Sequence, residues 1–463
     1  MTDGHNPPLT LGIAGFGTVG SGLIRILREN RAEITARTGR EVRVKSVLVR
    51  DLSKARACPL PDGARLTDNP ADLLDDPETD VVVELIGGTE HAGDLVRKAL
   101  CAGKHVVTAN KALLAEQGND IFALAAEKKL HLGYEASVCG GIPIIRTLRQ
   151  ALAGDRLDSL VGILNGTSNF ILSEMSDKAM DFASALKEAQ TLGYAEADPV
   201  LDIDGRDAAQ KLYLLIRLAW GAEYPYSAIP VCGITDVSPI DIRYAREFGC
   251  RIKLICYARL HGDDPQHGGI EAGVCPALVH ERFLLARVEG AYNAVRAEGN
   301  AAGSVFLHGK GAGDLPTGSS VTADILDIAK NMPPDNTGYA CPHLPAPARV
   351  IAPHESFSPH YLRLKVTDRP GVLRDMAAIL ADHAISLAQV IQKDDAAETS
   401  QEPADKAEPN TVPLVLMTHK ASDDAVHKAV DALAASPFVR ESPVRFRVLT
   451  GKTGALPNLR AGA

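Results

Sequence analysis

Over roughly the first 135 residues, short apolar runs alternate with helix-length amphipathic segments; LTLGIAGFG, VRVKSVLVR, TDVVVELIGG, GKHVVTAN and KKLHLGYEA are the apolar runs. Such alternation predicts parallel strands joined by crossover helices. From Ile142 to about Gln150, and in TSNFILSEM, MDFASALKEAQTLG and DGRDAAQKLYLLIRLAW, helical spacing takes over. Strand-like runs lie between and after these segments: LDSLVGILN, RIKLICYARL, GIEAGVCPALV, AYNAVRAEG and GSVFLHGKG. Strands grouped with helices on one side predict an α+β domain. The proline-rich stretch MPPDNTGYACPHLPAPARVIAPHESFSPH then reads as an extended linker. Beyond it come strand YLRLKVTD, helix GVLRDMAAILADH, strands SLAQVIQ and VPLVLMTH, helix DDAVHKAVDALAAS and strand VRFRVL, a ferredoxin-like βαββαβ order. The middle hairpin is interrupted by KDDAAETSQEPADKAEPN (393–410), which has almost no large apolar residues and reads as a mobile loop.

Composition narrows the class. A chain of 463 residues has room for about three domains of roughly 150 residues each. With 45% hydrophobic and 23% charged residues it is an ordinary globular protein rather than a disordered or fibrous one. The formal charge of -9, with basic residues scattered, excludes the basic face that nucleic acid needs. No apolar run approaches the ~20 residues of a bilayer span, and MTDGHNPP lacks the features of a signal peptide, so a cytoplasmic location is expected. Eight dispersed cysteines without a C-x-x-C pair suggest neither a zinc cage nor a disulfide framework.

The first apolar run ends in chemistry. GIAGFGTVG places Gly15, Gly17 and Gly20 in G-x-G-x-x-G spacing, with Thr18 and Val19 between, after a strand pattern and before a helix pattern. In that context the glycines let a pyrophosphate approach the backbone at a helix N-terminus. After the second predicted strand, where a ribose-binding acid usually stands, Arg50 comes first, followed by Asp51, Lys54 and Arg56. A cation there suits a 2′-phosphate and favours NADP, while Asp51 keeps NAD open. A solvated basic loop is the bland alternative.

YAEADPVLDIDGRDAAQK holds five carboxylates, Glu196, Asp198, Asp202, Asp204 and Asp207, and ends on Lys211. Placing Gly205 at the invariant glycine of a calcium loop puts Val200 at the first ligand position and Lys211 where the bidentate glutamate belongs, which excludes that motif. A solvated acidic loop remains possible. Asp207 and Lys211 stand at i and i+4 on a predicted helix that continues into LYLLIRLAW, so a carboxylate can hold the lysine at the mouth of a buried helix. An ordinary surface salt bridge would have the same spacing.

Taken together, GFGTVG, TANKALL, YEASVCGGIPII, NGTSNFIL, LGYAEADPVLDIDGRDAAQK and GKGAGDLPTGSSVTAD resemble homoserine dehydrogenase, and LRLKVTDRPGVLRDMAAIL resembles an ACT domain. The resemblance runs from about Leu9 to Leu449. It implies three units: a Rossmann domain over 1–140, a substrate-binding, catalytic and dimerisation domain over 141–335, and an ACT regulatory domain over 359–450 after a linker at 336–358. Residues 300–335 are left open between the second unit and a return to the first. It further implies reversible NAD(P)H-dependent reduction of L-aspartate 4-semialdehyde to L-homoserine, in the biosynthesis of threonine and methionine. In that comparison Lys211 is the catalytic acid, and Lys111 lies beside the nicotinamide. A lysine is a poor base at neutral pH unless burial or a second cation lowers its pKa, and Lys111 is the candidate cation. Glu196 and Asp207 match positions that bind the substrate amino group, and Asp202 another acid of the site; Asp198 and Asp204 read as loop structure. Asn165, Gly166 and Thr167 would line the cleft, and Gly193 and Gly313 lie near the cofactor. A monovalent cation, expected to be sodium, maps onto Glu135, Val138, Gly140 and Ile142, through mostly backbone oxygens.

Two rival readings stand beside this one. Cys139 could serve a semialdehyde dehydrogenase that acylates a thiolate, but its stretch contains no histidine, and His91 and His105 are the nearest upstream partners. DRPGV, with Asp368 and Gly371, resembles the ligand-binding turn of ACT domains, so the tail could belong to a noncatalytic amino-acid sensor. An enzyme carrying that sensor, inhibited by threonine, is preferred over a tail that only dimerises. The chain has no room before LTLGIAGFG for a kinase domain, so a fused aspartate kinase is not expected. A homodimer or homotetramer is implied.

Overall fold

A computed structural model describes residues 7–330, 346–392 and 411–450. Part of the expected linker, 336–345, and the acidic loop 393–410 lie outside these residues.

The N-terminal alternation becomes a parallel sheet of six strands: β1 (Leu9–Ala14), β2 (Val42–Leu48), β3 (Arg65–Thr67), β4 (Val81–Glu84), β5 (His105–Thr108) and β6 (Leu132–Gly133). Their order is β3-β2-β1-β4-β5-β6, so the sheet reverses direction of growth between β1 and β4. Burial on both faces explains the unbroken apolar character of LTLGIA and VVVE, which are buried at every position. Three crossover helices matter for the site: α1 (Thr18–Glu29), α2 (Glu90–Cys101) and α3 (Lys111–Lys128). The short β3 has no clear pattern of its own in the sequence.

The second region is built on a nine-stranded mixed sheet. Its strands are β7 (Leu157–Ile163), β8 (Cys250–Leu260), β9 (Ile270–His280), β10 (Tyr292–Gly299) and β11 (Gly303–Lys310), joined to β12 (His360–Thr367), β13 (Leu387–Gln392), β14 (Thr411–Thr418) and β15 (Val444–Leu449). The order is β11-β10-β7-β8-β9-β15-β12-β14-β13, and every neighbouring pair is antiparallel except β9 with β15. Against this sheet pack α4 (Gly166–Asp177), α5 (Arg206–Trp220) and α6 (Pro239–Glu247).

A further helix, α7 (Asp314–Ala329), follows β11 but packs on α1 of the first region. Two glycines permit the close crossing: a Cβ on Gly22 would stand 2.1 Å from the Asp314 carbonyl oxygen, and one on Gly318 would stand 2.9 Å from the Gly22 carbonyl carbon. The C-terminal elements follow the βαββαβ order, with helices α8 (Val372–Asp382) and α9 (Asp423–Ala434) and the strand order β15-β12-β14-β13.

The C-terminal strands are bolted to the rest by polar contacts as well as by β15. Asp241 of α6, fully buried, accepts hydrogen bonds from the Tyr361 hydroxyl (2.8 Å) and Arg363 Nε (2.7 Å). Arg447 of β15 reaches Glu271 of β9 (3.1 Å) and pairs with Asp423. Residues 346–351 run alongside as extended chain, with Ile270 donating to the Arg349 carbonyl at 2.8 Å. Among the described residues, no helix is long and apolar enough to cross a membrane.

Candidate active site

The glycine loop has the shape the motif demands. Gly15 has φ of +108°, and a Cβ there would stand 2.5 Å from the Leu85 carbonyl oxygen; one on Gly20 would stand 2.3 Å from the Gly15 carbonyl oxygen. Gly17, by contrast, faces open space and precedes α1 without a side-chain cap. Thr18 and Val19 form the first turn. Unclaimed N–H groups at an open helix N-terminus suit a pyrophosphate, so these residues fit a dinucleotide. Arg50 is exposed just beyond β2, while the Asp51 carboxylate accepts hydrogen bonds from Ser53 N (2.8 Å) and Ser53 Oγ (2.6 Å). Arg56 folds back over the Phe16 ring, with 5.9 Å between guanidinium carbon and centroid.

At the carboxyl ends of β4 and β5, where open α/β sheets bind their ligands, a chain of side chains fixes Lys111. Buried Glu84 accepts from Ile86 N (2.9 Å), Gly87 N (3.2 Å) and Thr108 Oγ1 (2.6 Å). Thr108 Oγ1 in turn accepts from Asn110 N at 3.0 Å. Asn110 caps α3 by accepting from Leu113 N (3.0 Å) and ties down the Gly88 carbonyl (2.7 Å). Lys111 therefore begins the helix, where the macrodipole disfavours a cation. The compensating charge is Asp207, whose Oδ1 is 3.1 Å from Lys111 Nζ. Glu84 and Asn110 were not singled out from sequence; a glutamate inside the apolar run VVVELIGG was the available signal.

The opposite wall is the start of α5. Gly205 adopts φ of +88° as its N-cap, and Asp207 and Lys211 follow on one face. Asp207 Oδ2 accepts from Lys211 Nζ (2.7 Å) and Asn165 Nδ2 (2.7 Å). Asn165 Nδ2 also reaches Asp202 Oδ1 (2.6 Å), and Lys211 Nζ donates to the Leu164 carbonyl (2.8 Å). Burial would raise the Asp207 pKa, but Lys211 and Lys111 together hold its carboxyl well below the usual range. Burial would lower Lys211, yet the Asp207 carboxylate beside it raises its pKa. Asp202, half-buried and next to Asp207, has its pKa raised, first by desolvation and then by the Asp207 charge. The expectation that Lys111 lowers the pKa of Lys211 is therefore corrected: Lys111 pairs with Asp207, and the direction at Lys211 is upward.

The structure brings together Lys111, Lys211, Asp207, Asp202 and Asn165, but not every candidate. Glu196 and Gly193 are exposed on the segment before α5, with Gly193 at φ of +77°. Thr167 Oγ1 donates to the Tyr194 carbonyl at 2.7 Å, and Gly166 fits against the Ala291 carbonyl oxygen. Asp198 and Asp204 are taken up by local turns, accepting from Val200 N (3.3 Å) and Arg206 N (3.0 Å). Gly313, φ +122°, precedes α7. The two lysine-bearing helices are joined farther along, where Arg217 of α5 lies 4.7 Å over the Phe122 ring and hydrogen-bonds Asn119 of α3.

Glu135, Val138, Gly140 and Ile142 form the bend between the two regions. Both carboxylate oxygens of Glu135 are used, accepting from Ile145 N (2.9 Å) and Arg146 N (2.8 Å). The Gly140 carbonyl accepts from Ser320 Oγ at 2.6 Å, and that of Ile142 from Ile144 N at 2.8 Å. Each of these two carbonyls keeps a second lone pair, whereas the Glu135 carboxylate is already engaged by two backbone N–H groups. Among the described residues, no group of three or more histidine, cysteine or acidic side chains could hold a metal.

The acylating alternative does not survive the geometry. Cys139 is fully buried, and burial pushes its thiol up to about 11. His105 accepts from the His131 N–H and is pushed down to about 4, first by burial and then by His131. His91 is exposed on α2. Asp368 and Gly371 lie exposed before α8, with Gly371 at φ of +95°.

Two family models divide the chain in the same way as the two lysines do. "Homoserine dehydrogenase, NAD binding domain" matches residues 15–135, and "Homoserine dehydrogenase" matches 143–326. The homoserine dehydrogenase of Neisseria gonorrhoeae is 44% identical over 443 residues, 94% of this chain and 97% of the relative. The chain belongs to the homoserine dehydrogenase family. It is an NAD(P)-dependent oxidoreductase, with a parallel sheet in the nucleotide-binding domain and a mixed sheet in the catalytic domain. A solved homoserine dehydrogenase from Thiobacillus denitrificans is similar throughout, with a TM-score of 0.87, 44% identity, and 96% of this chain and 98% of that one covered. A hyperthermophilic archaeal homoserine dehydrogenase in complex with NADPH is similar over 71% of this chain and 99% of its own, with a TM-score of 0.58 and 28% identity.

Proposed function

We propose that this homoserine dehydrogenase reduces L-aspartate 4-semialdehyde to L-homoserine reversibly, prefers NADPH, and feeds threonine and methionine biosynthesis. The observation that carries the chemistry is Lys211, whose Nζ is held between Asp207 and the Leu164 carbonyl. The nicotinamide cofactor, when bound, supplies the hydride in reduction and accepts it in oxidation. Lys211 Nζ donates the proton to the aldehyde oxygen and recovers it from the hydroxyl in the reverse direction. Asp207 holds the ammonium in place and keeps it charged before transfer. Its two oxygens already receive three donors, which leaves about one acceptor site for a substrate amino group. Glu196, exposed on the segment before α5, is assigned the rest of that cation, and Asp202 completes the acidic wall. Asn165, Gly166 and Thr167 form the cleft floor.

Preference for NADPH is supported by Arg50, exposed just beyond β2, while Asp51 beside it has one carboxylate oxygen engaged by Ser53. The archaeal relative's NADPH complex points the same way. Lys111, Gly193 and Gly313 are assigned to the nicotinamide end of the cofactor. A sodium ion on the carbonyls of Glu135, Val138, Gly140 and Ile142 would brace the bend between domains. The C-terminal βαββαβ unit is assigned as an ACT domain that binds threonine at Asp368 and Gly371, in a homodimer or homotetramer.

The test is oxidation of NADPH or NADH by the full chain with L-aspartate 4-semialdehyde, with and without threonine. Faster turnover with NADPH and inhibition by threonine are expected. Absence of turnover with either nucleotide rejects the reaction, equal use of both rejects the Arg50 assignment, and insensitivity to threonine rejects the regulatory one.

A further inference from the structure

Of the three partners that the Lys211–Asp207 pair has outside α5, Lys111 comes from α3 and the other two come from a single turn. Leu164 supplies the carbonyl that Lys211 Nζ donates to, and Asn165 supplies the amide bound to Asp207. A turn that carries two such partners must itself be held, or both are misplaced at once. Asn165 anchors its helical side by accepting from Ser168 N at 2.7 Å. Its other side rests on β10, where Asn293 Nδ2 donates to the Leu164 carbonyl at 3.0 Å. That oxygen is therefore shared between Asn293 and Lys211.

Asn293 is fully buried and tightly enclosed. A Cβ on Gly311 would stand 2.2 Å from its Cγ, and one on Gly166 would stand 3.4 Å from its Oδ1 and 2.8 Å from the Ala291 carbonyl oxygen. Cys139, a residue held at φ of +57°, is buried nearby. Asn293 Oδ1 is buried with no hydrogen-bond partner in the structure. A buried amide that leaves one polar atom unsatisfied is costly, and an apolar side chain of similar size would avoid that cost. What the asparagine supplies, and leucine cannot, is the N–H donor to Leu164.

We infer that Asn293 is a positioning residue for proton transfer: it fixes the Leu164–Gly166 turn so that the Leu164 carbonyl and Asn165 hold Lys211 and Asp207 in register. Asn293 acts through these groups and does not touch the substrate. The inference rests on Lys211 as the proton carrier, which Lys211→Ala tests separately.

The experiment compares Asn293→Leu and Asn293→Asp with the parent enzyme in kcat, KM for NADPH, pH profile and thermal midpoint. Asn293→Leu, similar in size but without a donor, is expected to lower kcat by roughly 10- to 100-fold and to leave KM for NADPH within about twofold. Asn293→Asp keeps the shape and can donate to Leu164 only when protonated. Its kcat should recover as pH falls, at unchanged secondary structure, through a titration that the parent lacks. Parent-like kcat and pH profile in folded variants would overturn the inference, and so would a uniform loss of stability without the split between kcat and KM. If Asn293→Leu does not fold, the Asn293→Asp profile decides: acid rescue supports the role and a parent-like profile rejects it. Lys211→Ala retaining activity would instead overturn the assignment of the proton carrier.

Discussion

Two lysines lie one helical turn apart along α4, Lys253 buried and Lys211 half-buried, and their pKa values are pushed in opposite directions. Lys211 meets the Leu164 carbonyl and, through Asp207, the Asn165 amide at the helix start. Lys253 of β8 meets Asn169 Oδ1 (3.1 Å) and the Val288 carbonyl (2.6 Å) at the next turn. Lys253 is 3% exposed, and burial pushes its pKa down to about 8. Lys211 is also strongly desolvated, yet its pKa is raised because a carboxylate lies 2.7 Å away. Neutral carbonyls satisfy an ammonium's hydrogen bonds but do not replace the solvation of its charge; a carboxylate does both. Burial alone would lower the Lys211 pKa as it lowers that of Lys253, and Asp207 reverses the direction.

Removing one side of the comparison should have the largest effect. Lys211→Ala is expected to lower kcat in both directions by roughly 10²- to 10⁴-fold with folding intact, as seen by circular dichroism. Retention of near-parent kcat would mean that the proton comes from elsewhere.

Asp207→Asn should turn the first lysine into a copy of the second. With its counter-charge gone and Lys111 still nearby, the Lys211 pKa should fall toward that of Lys253. In the reductive direction, which needs the ammonium, kcat should drop by roughly 10²-fold and its alkaline limb should move to lower pH. An alkaline limb that does not move would separate Asp207 from the charge state of Lys211.

The smallest effect on activity is expected at Lys253, where stability carries the signal. Its pKa is about 8 in the folded chain against an ordinary 10.5, so between these values the unfolded chain binds a proton that the folded one has released. Stability therefore rises with pH across this window, by up to roughly 3 kcal/mol from this one group. In Lys253→Met the rise should disappear from urea midpoints measured at successive pH values, while kcat stays within about threefold. An unchanged pH dependence would show that Lys253 is not titrating there.

The legible parts of the molecule are those with local causes. Alternation of apolar runs specified β1, β2, β4 and β5, the glycine spacing specified the turn into α1, and the i, i+4 relation put Asp207 and Lys211 on one helical face. Their partners were not legible in the same way. Glu84, Asn110 and Asn293 are polar residues in or beside strands, and nothing local distinguishes an asparagine that anchors a catalytic turn from one that ends a strand. The exposure of Glu196 is likewise a result of packing.

By itself, then, the sequence determined the order and type of the main elements, the glycine loop, and which side chains could carry charge chemistry, because these depend on spacing along one element. Tertiary structure alone decided that α7 returns to pack on α1, that β15 joins the C-terminal strands to β9, and that Lys111 and Lys211 face each other across Asp207. Those relations join residues about 100 or more positions apart in the chain. The charge state of Lys211 belongs with them, since it depends on how closely a carboxylate and two cations are held in a site largely removed from water.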